Sequence, residues 1–127
     1  MGKGFTLIEL LAVLAVLGIV AVITTPVVLN AINESKQNAY KEQVNLVESA
    51  AERWGISNLK KLPTTVNESC CITLTTLTNG GYLTQERIND PRKKSIMNGQ
   101  VKITYTANQY LYNYIEEPDS SCKVCGV

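Results

Sequence analysis

Glu9 is the first residue in the chain that invites chemistry. It stands at the edge of an apolar run in which, between residues 5 and 29, the only polar side chains are Thr6, Glu9, Thr24 and Thr25. An ionised carboxylate in such a segment costs about 2.5–3.5 kcal/mol at mid-bilayer on insertion scales, and less near the interface. It therefore calls for a named partner. The nearest cations are Lys3 and any ammonium created by a cut after Gly4. That ammonium, on Phe5, lies about one helical turn from Glu9. The same group on a neighbouring copy reaches Glu9 if the two helices stagger by one turn.

The remaining reactive side chains are few. There are four cysteines and no histidine. Cys70-Cys71 and Cys122-x-x-Cys125 could bind zinc, but adjacent cysteines are poor zinc spacing. Disulfides are the better reading. Four cysteines allow three pairings; a Cys70–Cys71 bond closes a small strained ring, so two bridges between the pairs are favoured, in either order. Each closes a loop of roughly fifty residues, worth about 4 kcal/mol in the chain-entropy model, and the second adds far less. A redox role for Cys122-x-x-Cys125 lacks a surrounding βαβ pattern. Glu116, Glu117 and Asp119 could hold calcium, but EF-hand spacing is missing and a solvated acidic turn is the default, so no cofactor is expected. Without a histidine base, a glycine-rich phosphate loop or a nucleophile pair, an enzyme is the weakest class.

Charge narrows the partners. The net charge is +1, and removing Lys3 from the 12 basic side chains leaves 11 against 11 acidic ones. No general attraction to nucleic acid is expected. Arg92-Lys93-Lys94 reads as a solvated loop, and the tyrosines near the C-terminus as packing rather than a base-stacking platform.

The elements that place these residues follow from periodicity. The segment 5–29 is long enough to span a bilayer, and Gly18 and Pro26 are tolerated in such helices. A secretory signal peptide fits less well: the run is long, and Leu29-Asn30-Ala31 is a poor cleavage site. Beyond Pro26 the chain turns amphipathic, with Tyr40, Val44, Val47, Ala51 and Trp54 on one stripe. One helix over residues 5–54 is predicted, kinked at Pro26 and capped by Gly55. Residues 57–71 read as a loop. Leu74 and Leu77 favour a short helix, capped by Thr73 and stopped at Gly80, over a strand. Asn98-Gly99 predicts a hairpin joining residues 95–97 to 100–106. A second turn at Ala107-Asn108 leads to 109–115, so that Tyr105 faces Tyr110, Ile103 faces Tyr112 and Val101 faces Tyr114. The expected fold is α+β, a long helix on a small antiparallel three-stranded sheet. Its 127 residues divide into a leader (1–4), a hydrophobic half-helix (5–29) and a globular head (30–127).

The string Gly4-Phe5-Thr6-Leu7-Ile8-Glu9-Leu10 resembles the cleavage and methylation motif of type IV prepilins and the related pseudopilins. The resemblance implies that a prepilin peptidase cuts between Gly4 and Phe5 and methylates the new amine. It implies that Glu9 pairs with the Phe5 ammonium of a neighbour in a homopolymer, and that the stretch from Gly18 to Pro26 unwinds in the filament. It also implies assembly by membrane machinery, from a single-pass precursor to a surface filament. Some pseudopilins carry calcium near the C-terminus, where Glu116, Glu117 and Asp119 stand here. The spacing of Leu74, Leu77, Gly81-Tyr82-Leu83 and Asp90-Pro91 is similar to pilin heads. Lys3 favours a cytoplasmic N-terminus by the positive-inside rule, which places the cysteines outside, where disulfides persist. A pilus subunit is the leading expectation. The alternatives are a pseudopilin of a type II secretion or competence DNA-uptake system, and a single-pass anchored binding domain.

Overall fold

A computed structural model describes residues 4–126. Residues 1–3, with Lys3 and most of the expected leader, lie outside the described residues. The chain divides into two compact units, Met1–Lys36 and Gln37–Val127.

Helix α1 runs from Leu7 to Ser57, with Pro26 inside it. In the first unit its side chains are exposed from residue 7 to residue 36, as are residues 5 and 6 before it. The exposed large apolar residues include Phe5, Leu11, Leu14, Ile19, Ile23 and Leu29. The segment is long and apolar enough to cross a membrane by length and composition. A helix apolar on every side finds its place in lipid or among other helices.

In the second unit α1 is one-sided. Val47, Ala50, Ala51 and Trp54 are buried, and Tyr40 and Val44 pack against the same core, as the stripe predicts. Gly55 is not the expected cap. It is a buried residue inside α1, and a Cβ there would collide with the Tyr112 hydroxyl. The helix can therefore run on to Ser57, where Asn58 closes it. The Asn58 side-chain amide donates to the Trp54 carbonyl (2.8 Å) and its main-chain N–H to that of Gly55 (3.1 Å), satisfying carbonyls left over at the helix end.

A 3-10 turn at Leu59–Lys61 leads to strand β1 (Ser69–Thr73) and helix α2 (Leu74–Asn79). The Thr73 hydroxyl accepts from the Thr76 N–H (3.2 Å) and α2 stops at Gly80, so the short helix has the cap and the end read from sequence. After a second 3-10 turn at Gln85–Ile88 come β2 (Asn89–Asp90), β3 (Ser95–Ile96), β4 (Gln100–Tyr105) and β5 (Tyr110–Ile115).

The antiparallel sheet has the order β1-β4-β5. Between β4 and β5 the register sets Tyr105 opposite Tyr110, Ile103 opposite Tyr112 and Val101 opposite Tyr114, as the alternation predicts. The first strand differs from expectation. Residues 95–97 do not fold back on β4; Ser95 and Ile96 pair with β2, and the Met97 N–H donates to the Ile88 carbonyl (2.6 Å). The place beside β4 belongs to β1, part of which was expected to be loop. Cys70, Cys71 and Ile72 are buried in succession, a continuous apolar run that shows no alternation to read. Asn98-Gly99 is no hairpin turn because its glycine serves another need. A Cβ on Gly99 would strike the Ile115 carbonyl oxygen and the Tyr114 hydroxyl, and the Gly99 N–H donates to that hydroxyl (3.2 Å). Close approach, not a left-handed turn, requires the glycine.

Candidate functional site

The candidate site is the start of α1. Residues 4–6 are not helical and the helix opens at Leu7. Thr6 occupies the cap position. Its carbonyl accepts from the Leu10 N–H (3.1 Å) and its hydroxyl from the Glu9 N–H (3.3 Å). Glu9 answers: its Oε2 accepts from the Thr6 N–H (3.2 Å). This is the reciprocal capping box, in which two orphan donors are satisfied at once. A carboxylate in the first turn also meets the positive end of the helix dipole. The lone acid of the apolar segment is thus held by its own chain. Sequence reading named Thr6 as a polar residue and missed this role, although Thr-x-x-Glu before an apolar run is its signature.

Further along, the Thr24 hydroxyl donates to the Val20 carbonyl (3.0 Å) and the Thr25 hydroxyl to that of Ala21 (2.6 Å). Both polar side chains are therefore satisfied within the helix. They lie between Gly18 and Pro26, the two residues with the poorest helix propensity, one of which lacks an N–H.

Among the described residues, the second unit carries no comparable site. Two bridges, Cys70–Cys125 and Cys71–Cys122, tie the tail to β1. The tail also pairs with it: the Cys71 N–H donates to the Lys123 carbonyl (2.7 Å) and the Cys125 N–H to the Cys71 carbonyl (3.1 Å). On the opposite outer strand, the Tyr114 N–H donates to Glu48 Oε1 (3.0 Å).

Arg92 is not the solvated side chain expected. It donates twice to the buried Asp90, through Nε to Oδ1 (3.2 Å) and Nη2 to Oδ2 (3.0 Å), and once to Glu116 Oε1 (2.8 Å). Lys93 donates to the same Glu116 oxygen (2.9 Å). Hydrogen bonds from Arg92 hold the Asp90 carboxyl below the usual range. Those from Lys93 and Arg92 do the same for Glu116. Asp119, named with Glu116 and Glu117 as a calcium ligand, accepts from the Ser121 N–H and hydroxyl (2.9 and 2.6 Å), which lowers its pKa. Among the described residues no three histidine, cysteine, aspartate or glutamate side chains stand together as a metal site.

Residues 2–25 match the family model described as the prokaryotic N-terminal methylation motif. This is the signal motif of type IV pilins and pseudopilins, a structural rather than an enzymatic family feature. With the apolar helix behind it, the motif fits a membrane-anchored, pilin-like or pseudopilin precursor. The α+β arrangement of a long helix on a three-stranded antiparallel sheet is pilin-like. No curated protein and no solved structure matches the chain.

Proposed function

We propose that the chain is the precursor of a structural subunit of a bacterial type IV pilus. A prepilin peptidase hydrolyses the Gly4–Phe5 bond and the new Phe5 amine is methylated. A secondary amine still binds a proton, so the positive charge persists. That charge sits beside the positive end of a helix dipole, which disfavours it, and a carboxylate nearby offsets the cost. Glu9 of an adjoining copy supplies one. Pairing the two charges lets apolar helices leave lipid for a bundle in fixed register, driven by assembly machinery in the membrane.

The observation that carries this reading is the position of Glu9: an acid at the head of an exposed apolar helix, inside the matched segment 2–25. The test has two parts. Intact mass of native protein is expected to lack residues 1–4 and to gain one methyl group. Glu9→Ala is expected to insert in the membrane yet fail to form surface filaments. Filaments at wild-type yield from Glu9→Ala count against the pairing. Processed protein confined to the membrane points to a pseudopilin, and an unprocessed monomer to an anchored binding domain.

A further inference from the structure

We propose that Thr6 is a positioning residue for processing, an inference that rests on reading Gly4–Phe5 as the cleaved bond. The Thr6–Glu9 box starts the helix at Leu7 and so keeps that bond in non-helical backbone. In a helix begun one turn earlier, the Glu9 N–H would donate to the Phe5 carbonyl. Here it donates to the Thr6 hydroxyl (3.3 Å). The Thr6 N–H, which would also point back along such a helix, is held by Glu9 Oε2 (3.2 Å). The donors that would wind Phe5 into the helix are therefore occupied by the box. The first helical hydrogen bond reaches back only to the Thr6 carbonyl.

The consequence falls on the bond two residues upstream of Leu7. Wound into the first turn of a helix, the C=O of this peptide group is spent on the following turn, and its N–H, though free of an intrahelical partner, is fixed in helical geometry. An enzyme that grips its substrate by main-chain hydrogen bonds needs them free, in an extended segment. Around Gly4 there is room on the side where a Cβ would lie, with nothing within 4 Å, and Phe5 is 84% exposed. The box survives the cut, because the Thr6 N–H belongs to the Phe5–Thr6 amide. Glu9 thus has two separable duties: half of a cap, which a glutamine also performs, and a counter-charge, which a glutamine does not.

The experiment uses the full chain in detergent micelles with a purified prepilin peptidase. Thr6→Val keeps the branched shape and loses the hydroxyl. It is expected to be cut about fivefold more slowly, the population ratio an ordinary cap controls, with carbon chemical shifts placing Phe5 in the helix. Thr6→Ser is expected to match the wild type. Thr6→Gly has no hydroxyl, but glycine is nearly as good at a helix start, so it too is expected near the wild-type rate. Thr6→Val cut at the wild-type rate, or cut slowly with its helix still starting at Leu7, overturns the proposal. Thr6→Gly as slow as Thr6→Val overturns it as well, because the enzyme would then be reading the hydroxyl itself. Wild-type protein left uncut between Gly4 and Phe5 removes the functional reading, and this one with it.

Discussion

The Arg92 guanidinium carbon lies 3.4 Å from the centroid of the Tyr40 ring. The same group bridges Asp90 and Glu116, so one side chain joins α1, β2 and the residue after β5. A planar fork can stack on a ring and serve two carboxylates together; an ammonium cannot. Arg92→Ala strips the buried Asp90 of its charged partner, leaving only the main-chain N–H of residue 92 on Oδ1 (2.9 Å), and is expected to destabilise the head by about 2 kcal/mol. Arg92→Lys should recover less than half of that. Urea unfolding of the full chain in detergent, followed by near-ultraviolet circular dichroism, measures both.

The same network sets an acid limit. Asp90 and Glu116 both have lowered folded pKa values. Their contribution is complete above the ordinary carboxylate range near pH 4 and is lost as pH falls through the lower folded values. Melting temperatures should therefore hold steady down to about pH 4.5 and fall below it, with a shallower fall in Arg92→Ala. On the alkaline side the sign reverses. Burial raises the phenols of Tyr112 and Tyr114, so their contribution is present at neutral pH and is lost as pH rises above the ordinary phenol value near 10.

Two glycines make opposite tests of close approach. Gly99→Ala drives a methyl into the Ile115 carbonyl, a main-chain atom that cannot step aside, and should cost at least about 2 kcal/mol. Gly55→Ala meets only the outer end of the Tyr112 ring. Helix propensity favours alanine there by about 1 kcal/mol, so the substitution should be mildly destabilising alone and neutral or stabilising with Tyr112→Phe. A double-mutant cycle on thermal melting reads the coupling.

The disulfides should be strongly non-additive. Cys70–Cys125 and Cys71–Cys122 span 55 and 51 residues of nearly the same loop. Replacing Cys71 and Cys122 by alanine is expected to cost only about 1 kcal/mol, since the other bridge still closes the loop. Replacing all four is expected to cost about 4 kcal/mol or more. Equal costs for each bridge, summing to the total, would show that strain or packing outweighs loop closure.

Periodicity made much of this fold legible. The stripe from Tyr40 to Trp54 and the register of β4 on β5 both follow from one buried face repeating at a fixed step. What escaped was structure with no period. β1 is buried on consecutive residues because the helix, the sheet and the tail enclose it. Gly99 carried the strongest turn signal in the chain and answered to a contact with Ile115, sixteen residues away, that local sequence does not display. Arg92 sat in a basic triplet that looked solvated because its partners, Tyr40 and Glu116, are distant in sequence. At the helix start, residue order within the motif marked the place. The Thr-x-x-Glu spacing inside that motif already spelled a capping box, and the hydrogen bonds show that Thr6 and Glu9 use it.

The outer strands of the sheet have a further meaning for a chain proposed to polymerise. The tail occupies the free side of β1 at Cys71, and Glu48 blocks the free side of β5 at Tyr114. Open strands are templates for runaway stacking into amyloid-like fibres. A guard on each flank narrows that route to insoluble aggregate, while the exposed apolar rod stays open to its neighbours.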